Sequence, residues 1–315
     1  MRERPGRSCP LPYRYAPTVF ATPAAVSCEV LYVVGGLYGN ELALNAVLTA
    51  FAAEAGVTHL VFNGDFNWFN IEPGLFERLN TRVLGWAATR GNVETALDAS
   101  SAATGCGCAY PTWVKDGVVA RSNAIMHRLQ QTAAQFPALR AHLTALPMWQ
   151  RVDVGATRVA VVHGDAESLA GWGFAQEALR EAAHLAQVWH WLTQAQVDIF
   201  ASSHTCLPIY PRVEVQGHPT LIANNGAAGL PNFMGTQYGV LTGIATRPYE
   251  GPLRCCGVQT GRVYVDALAL HYDQAAWEQA FLAQWPAGSA AYMSYWTRLQ
   301  QGPRYTVGEA VPPVA

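Results

Sequence analysis

The segment His59-Leu60-Val61-Phe62-Asn63-Gly64-Asp65 decides how this chain is expected to fold. A short apolar run ends at a small polar loop, which is typical of a strand that is covered on both faces. The pattern recurs along the chain. Further apolar runs that end at Gly, Asn or His occupy residues 31–34, 82–86, 158–162, 198–201 and 220–223. Helix-like stretches such as 41–52 separate these runs, so the sequence predicts a layered α/β protein.

Four polar residues stand just after these runs and form a mixed set of metal ligands. Asp65 and Asn92 offer oxygen atoms, and His163 and His204 offer imidazole nitrogens. Layered α/β folds place their ligand groups at strand ends and on the loops that follow them. A set of oxygen and nitrogen donors suits Mn, Fe or Zn better than Ca. The sequence therefore predicts one hydrolytic metal site.

Composition limits the classes of function that fit. Half of the 315 residues are hydrophobic and 13% are charged, which is enough apolar material for a globular core. The net charge of -2, with no long basic run, disfavours nucleic acid as a partner. No apolar stretch is long enough to cross a membrane, and the first residues lack the apolar core of a secretory signal, so we expect a cytoplasmic protein with no membrane partner.

The cysteines predict thiols in the reduced state. Seven is an odd count, too sparse for a framework of disulfides in a chain of this length. Cys106 and Cys108, or the adjacent Cys255 and Cys256, are alternative ligands for a soft metal, but neither pair has a partner pair at zinc-finger spacing.

Five short motifs, in this order, resemble the blocks of calcineurin-like metallophosphoesterases. That family's blocks read D-x-H-G-N, G-D-x-x-D/N, G-N-H-E/D, H-G and G-H-x-H. Here they stand as Gly36-Leu37-Tyr38-Gly39-Asn40, Gly64-Asp65-Phe66-Asn67-Trp68, Gly91-Asn92-Val93-Glu94, His163-Gly164-Asp165 and Ser203-His204-Thr205-Cys206. The resemblance extends over residues 31 to about 230. It implies a four-layer αββα architecture, a β-sandwich flanked by helices, followed by a short C-terminal helical extension.

The resemblance implies that one of the family's two metal positions is complete. The family's ligands for its second metal match Asp65, Asn92, His163 and His204. Three of the four ligand positions for the first metal are instead Gly36, Tyr38 and Cys206. A divalent transition metal (Mn, Fe or Zn), one per chain, is therefore expected. The alternative is that Tyr38 and Cys206 are unusual ligands for a softer or ferric first metal.

Other residues inside the matching blocks are candidates for catalytic support. The family's His that assists the leaving group is Val93 in this chain, which removes one acid. Asp165, Asn40 and Glu94 are candidates to orient water, protonate a leaving group or hold the metal ligands. Asp65, Asn92 and Asp165 are the predicted catalytic residues, with Asn40, Glu94, Tyr38 and Cys206 as additional candidates.

The chain is expected to divide into three parts. Residues 1–28 contain five prolines and predict an extended surface arm, residues 29–270 the metallophosphoesterase-like domain, and residues 271–315 an extension with two amphipathic helices. The aromatic residues of the extension have three explanations: packing on the body, a lid, or a surface for a homo-oligomer. Residues 110–146 are predicted to be largely helical, and residues 101–125 to hold the loop that faces the substrate.

The function that this sequence favours is hydrolysis of a phosphomonoester or phosphodiester of a small molecule at a reduced, single-metal site. The alternatives are a non-catalytic relative that binds a phosphorylated ligand and a scaffold with an unused pocket. Retention of all four ligands of one metal disfavours the scaffold. The substrate and the metal's identity stay open, because specificity lies in loops.

Overall fold

The computed structural model describes residues 5–98 and 105–312. Its strands are β1 Val26–Cys28, β2 Val30–Val34, β3 Thr58–Asn63, β4 Ala87–Thr89, β5 Trp149–Val154, β6 Thr157–Val162, β7 Ile199–Ser202, β8 Arg212–Val215, β9 His218–Asn224, β10 Gly239–Ala245, β11 Arg254–Thr260 and β12 Val263–Leu270. Its α-helices are α1 Glu41–Ala52, α2 Pro73–Val83, α3 Asn92–Ala96, α4 Asp116–Ala133, α5 Pro137–Ala145, α6 Ala182–Ala195, α7 Gln274–Gln284, α8 Ala290–Gln301 and α9 Val307–Ala310.

The strands form two six-stranded sheets. One has the order β1-β5-β6-β7-β9-β8 and the other the order β11-β12-β10-β2-β3-β4. Strands β2, β3 and β4 are parallel in the second sheet, and β6, β7 and β9 are parallel in the first. Each sheet therefore presents several carboxyl strand ends at one edge, where connecting loops carry polar side chains.

Alternate residues of the strands fill the space between the sheets. Leu31 and Val33 of β2 belong to the same buried cluster as Val159 and Val161 of β6. Their neighbours in β2 face outward and are buried as well, since every residue of that strand is buried. Burial on both faces explains why these strands are continuous apolar runs in the sequence.

Helices cover the outer faces. Helix α6 packs on the first sheet, with Trp191 and Leu192 in a cluster that contains Phe200 of β7. Helices α1, α2, α4, α7 and α8 contribute to the cluster on the other outer face. The four layers, helices, sheet, sheet, helices, confirm the predicted αββα architecture.

Two parts of the chain differ from the sequence expectations. The run 82–86, expected to be a strand, is the end of α2 followed by a turn, and strand β4 begins only at Ala87. Helix α2 continues this far because Leu79 and Val83 lie on its buried face, and a helix stabilised by packing overrides the local preference of an apolar run. In the arm, Phe20 is fully buried and residues 26–28 pair with β5, so this segment contributes to the core as well as to the surface.

The C-terminal helices begin where their sequence signals place them. Asp273 accepts a hydrogen bond from the Ala276 amide at the start of α7, and Ser289 accepts one from the Tyr292 amide at the start of α8. Trp277, Phe281 and Trp285 are buried against Phe69 and neighbouring residues of the main body. Packing within the chain thus accounts for these three rings. None of the helices formed by residues 5–98 and 105–312 combines the length and apolar character that a membrane crossing needs.

Candidate metal centre

Four strand ends, two from each sheet, deliver the predicted ligands to one place. Asp65 follows β3 and Asn92 follows β4 in one sheet, while His163 follows β6 and His204 follows β7 in the other. The carboxyl ends of parallel strands meet at a common edge, so the residues just beyond them converge. The site therefore lies at the seam between the sheets.

The other three side chains converge on Nε2 of His163. His163 Nε2 lies 3.3 Å from Asp65 Oδ1, 3.2 Å from Asn92 Oδ1 and 3.3 Å from His204 Nδ1. One atom each from Asp65, His163 and His204 lie within 4.8 Å of one another. An ion shared by such a group would lie roughly 2.0–2.2 Å from each donor atom. The donor set fits a divalent transition metal, and the structure brings together all four residues that the sequence singled out.

Backbone carbonyl groups fix how the ligands face the centre. His163 Nδ1 lies 2.8 Å from the Asn63 carbonyl oxygen, which assigns the proton to Nδ1 and leaves Nε2 free to bind a metal. His204 Nε2 lies 3.0 Å from the Cys108 carbonyl oxygen, which leaves its Nδ1 toward the centre. Asn92 donates its amide hydrogen to the Cys106 carbonyl oxygen at 3.0 Å, which turns Oδ1 inward. Each ligand thus presents an acceptor atom to the same point.

The charges of the ligands are coupled. Burial acts to raise the pKa of Asp65, but the charge of His163 and its hydrogen bond act against burial and hold that pKa below its usual value. Burial lowers the pKa of His163, but Asp65 outweighs it and raises the pKa overall. Burial and the neighbouring His163 lower the pKa of His204 to about 4. His204 is therefore neutral at pH 7, as metal ligation requires.

Glu94 holds the two loops that carry the oxygen ligands. Its Oε2 accepts hydrogen bonds from the amides of Asp65 at 2.8 Å and Gly91 at 3.0 Å. Its Oε1 accepts from Asn67, through the backbone amide at 3.3 Å and the side-chain amide at 3.1 Å. Burial and the nearby Asp65 raise the pKa of this fully buried carboxyl group. Glu94 positions the ligands and is not one of them.

The loop after β3 has a left-handed backbone. Gly64 has φ 75° and Asp65 has φ 52°. A Cβ atom on Gly64 would lie 2.5 Å from the Gly91 amide nitrogen, so only glycine allows the two ligand loops to approach. Left-handed backbone at a non-glycine residue costs about 1–3 kcal/mol and is concentrated at functional sites.

Tyr38 lies beside Asp65 and packs against Gly36 and Cys206, the other two positions at which the motifs depart from the family pattern. A Cβ atom on Gly36 would clash with the Tyr38 ring and lie 2.6 Å from its Oη. Tyr38 Oη lies 2.6 Å from Cys206 Sγ, and both residues have left-handed backbones, with φ 54° and 63°. Burial raises the pKa of both the Tyr38 phenol and the Cys206 thiol, which favours their neutral forms. The side chains of Tyr38 and Cys206 thus contact each other, and the Tyr38 ring covers Gly36.

Asp165 and Asn40 have structural contacts. Asp165 Oδ1 accepts hydrogen bonds from the amides of Glu167 and Ser168, and Oδ2 accepts one from Gly173, each at 3.0 Å. Asn40 caps α1 by accepting from the Ala43 amide, and its side-chain amide donates to the Gly229 carbonyl oxygen at 3.2 Å. Asp165 therefore organises the loop after β6, and Asn40 joins α1 to the loop after β9.

A small aromatic cleft opens over the ligands. Its volume is about 80 Å³, and aromatic side chains make up much of its wall. These are Tyr38, Trp68, Tyr110, Trp172 and Tyr295. Val93 lines the same cleft. An apolar side chain therefore occupies the position at which the family that the sequence resembles has the His that assists the leaving group. Cys108 and Tyr110, from the predicted substrate-facing segment, also line it, whereas residues 101–104 of that segment lie outside the described residues.

Cys106 and Cys108 form a disulfide, so the expectation of reduced thiols is wrong for this pair. Their Cα atoms are 5.3 Å apart, within the range that a disulfide spans. The carbonyl groups of the two cysteines hold Asn92 and His204, so the bridge closes the loop that orients two metal ligands. The sequence did not indicate this disulfide, because the number of cysteines was the only basis for predicting whether they are reduced.

Several contributors to the site carry no sequence signal of their own. Asn63 donates to the Val162 carbonyl oxygen at 2.6 Å and to Ser203 Oγ at 2.8 Å, which joins the two sheets under the ligands. Trp172 and Tyr295 reach the cleft from a loop and from α8. For Asn63 and Ser203, the available sequence signal was their position beside a predicted ligand motif. Tyr295 could be found only from tertiary packing.

No protein-family model matches the chain, and no curated protein sequence matches it. Its fold is similar to that of a hypothetical protein of Pyrococcus horikoshii, at 11% identity and a TM-score of 0.57, over 89% of this chain and 100% of that one. It is also similar to a metallophosphoesterase of Sphaerobacter thermophilus, at 17% identity and a TM-score of 0.54, over 87% of this chain and 100% of that one.

Proposed function

We propose, from the calcineurin-like metallophosphoesterase fold of this chain and the ligands at its strand ends, that it hydrolyses a phosphoester of a small molecule with one divalent metal ion. The observation that carries the proposal is the convergence of Asp65, Asn92 and His204 within 3.2–3.3 Å of His163 Nε2. If these residues served only as helix caps and turn residues, four donor atoms from four strand ends would not be expected to converge on one point.

The protein residues prepare this site for a metal and a phosphate group. A divalent metal held by Asp65, Asn92, His163 and His204 would supply Lewis-acid activation of water and of a phosphoryl oxygen. Glu94 keeps Asp65 and Asn92 in place through amide hydrogen bonds. Aromatic side chains line much of the cleft, and a low-dielectric cleft strengthens electrostatic interactions with a bound phosphate.

The alternative function is binding of a phosphorylated ligand without turnover. Two observations favour it: Tyr38 fills the first metal position, and Val93 leaves no acid at the position where the resembling family has one. The attacking and leaving oxygens of a displacement are stabilised best by two ions, and this chain has ligands for one. We therefore expect slow hydrolysis if there is turnover.

The test is a screen of phosphomonoesters and phosphodiesters with the metal-free chain supplied in turn with Mn²⁺, Fe²⁺ and Zn²⁺. Hydrolysis is expected with at least one ester and one metal, and it should be abolished in His163→Ala and Asp65→Ala. The control is His190→Ala, which removes an exposed histidine of α6. Activity that survives in His163→Ala would come from a contaminant or another site and would contradict the proposal.

The same experiment also identifies a protein that binds a phosphorylated ligand without hydrolysing it. A chain that takes up metal and binds an unhydrolysable phosphonate analogue, yet releases no phosphate or alcohol from any ester, is a binding protein. Loss of phosphonate binding in His163→Ala, but not in His190→Ala, would place that ligand at the metal centre.

A further inference from the structure

A groove adjoins the metal cleft and shares one wall with it. Trp172 lines both the cleft and the groove. The groove has a volume of about 460 Å³, several times that of the cleft. The ring of Trp172 lies 5.4 Å from that of His204, between centroids. A phosphoester whose phosphate contacts the metal centre therefore has room for its organic group only a few ångströms away.

Two tryptophans form a corner in this groove. Trp113 and Trp172 are perpendicular, with an interplanar angle of 87° and centroids 6.4 Å apart. Trp172 is held in place because its Nε1 donates to the Cys108 carbonyl oxygen at 2.9 Å. Trp113 is 60% exposed, although large aromatic side chains are usually covered. An exposed ring beside a fixed one is a surface that a ligand could cover.

The charged side chains of the groove are acidic. Glu177 and Glu181 line it, and the lining residues that the structure describes include no Lys or Arg. Neither carboxylate forms an ion pair with any residue of the described ranges 5–98 and 105–312. His184 completes the polar lining, and its Nε2 donates to the Gly173 carbonyl oxygen at 2.7 Å. The groove thus combines aromatic faces with two available negative charges.

We infer that this groove binds an organic cation, an alkylammonium group carried by the alcohol part of the phosphoester. The negative face of an indole ring attracts ammonium and quaternary ammonium groups, and nearby carboxylates add to that attraction. A second phosphate or a carboxylate in this place would be repelled by the two glutamates. The inference rests on the proposed function, because it names the substrate class of the same site.

Binding is tested without hydrolysis by isothermal titration calorimetry on the full chain with choline and with its uncharged isostere 3,3-dimethylbutan-1-ol. Choline is expected to bind about 3- to 30-fold more tightly, a ratio set by the strength of cation–aromatic contacts. Trp113→Ala and the double variant Glu177→Gln with Glu181→Gln should each reduce this ratio toward one. The matched controls are Trp189→Ala and Glu214→Gln, an exposed tryptophan of α6 and an exposed glutamate of β8, and they should leave it unchanged.

Hydrolysis is then compared for the 4-nitrophenyl phosphodiesters of choline and of 3,3-dimethylbutanol under Mn²⁺. A ratio of kcat/KM that favours the choline ester, and that falls in the groove variants but not in the controls, supports the inference. Equal kcat/KM for the two esters, together with equal affinity for the two alcohols, overturns it while leaving the proposed function intact. Selective choline binding with no hydrolysis of any ester leaves the cation site standing and contradicts the hydrolase.

Discussion

At the residue scale, the packing of Tyr38 is the basis of our proposal that this site holds one metal ion. Its ring lies where a side chain on Gly36 would extend, and its hydroxyl group contacts Cys206. Tyr38 therefore joins the other two positions at which the chain departs from the family that its sequence resembles. We interpret the three as one replacement, in which a phenol and a thiol take the place of metal ligands, and not as three independent losses.

This replacement predicts a strongly non-additive set of variants. Gly36→Asp alone should destabilise the protein, because its Cβ meets the Tyr38 ring and overpacking typically costs about 1–3 kcal/mol. Gly36→Asp with Tyr38→His and Cys206→His should fold with a smaller loss than Gly36→Asp alone, since His tolerates the left-handed backbone at positions 38 and 206 better than most residues. Urea denaturation measures the free energy of unfolding of both variants. A triple variant less stable than Gly36→Asp would show that Tyr38 does not block the position.

Glu94 predicts a loss of metal affinity without the loss of any ligand. Both of its carboxylate oxygens accept hydrogen bonds from amides, so Glu94→Gln must place an NH₂ group against an N–H donor in either orientation. We expect metal affinity to fall about 10- to 100-fold, as for other groups that position ligands. Metal titration monitored by competition with a chelating dye measures the change. Glu214→Gln is the control, and equal affinity in both variants would contradict the positioning role.

At the element scale, the loop that carries the Cys106–Cys108 disulfide acts as the outer support of the site. Its Cys106 carbonyl group orients Asn92, and its Cys108 carbonyl group orients His204 and holds Trp172. The support comes from the backbone, so what matters is the conformation of the loop and not the chemistry of the sulfur atoms.

Opening this bridge should therefore weaken the metal site. Cys106→Ser with Cys108→Ser is expected to lower metal affinity several-fold, because the loop gains freedom and the hydrogen bonds to both ligands become less populated. The control is Cys255→Ser with Cys256→Ser, a pair of free cysteines in β11. Unchanged affinity after removal of the bridge, measured by the same chelator competition, would show that the loop keeps its shape without it.

Helices α7 and α8 form part of the core of the main body. Trp285 is almost fully buried, and its Nε1 donates to the Phe69 carbonyl oxygen at 2.8 Å. Trp285→Ala should lower the free energy of unfolding by about 3–5 kcal/mol, the usual cost of a large cavity. Trp189→Ala, on the exposed side of α6, should change it by about 0.5 kcal/mol or less. Similar denaturation midpoints for the two variants would mean that the extension does not pack as described.

At the scale of the whole molecule, the sequence predicted the layers and the position of the four ligands, because both depend on local signals. The strands that precede the four candidate ligands end at Asn63, Thr89, Val162 and Ser202, and parallel strands bring such ends together. The strand expected at 82–86 was wrong, since packing of α2 on the core outweighed the local pattern. The aromatic wall could not be predicted, because Trp68, Tyr110, Trp172 and Tyr295 come from distant segments and meet only through tertiary packing.

Two further features of the site could not be predicted from the motifs: the difference between Glu94 and Asp165, and the contact of Tyr38 with Gly36. Glu94 and Asp165 both lie in motifs and looked alike in sequence, but only Glu94 accepts a hydrogen bond from the amide of a predicted ligand, whereas Asp165 accepts from later residues of its own loop. The direction of a side chain after a strand end depends on the loop's backbone, which a short motif does not specify. Tyr38 was expected among the additional candidates, and its contact with Gly36 became visible only in three dimensions.

The central proposal is that this fold holds one metal ion where the motifs of calcineurin-like metallophosphoesterases provide for two. The most direct test is the metal content of the full chain, purified without chelator and measured by inductively coupled plasma mass spectrometry, together with native mass spectrometry. The account predicts one transition-metal ion per chain, lost in His163→Ala and retained in His190→Ala. Two tightly held ions per chain would contradict it, because Tyr38 and Cys206 would then have to bind the second ion instead of closing its position.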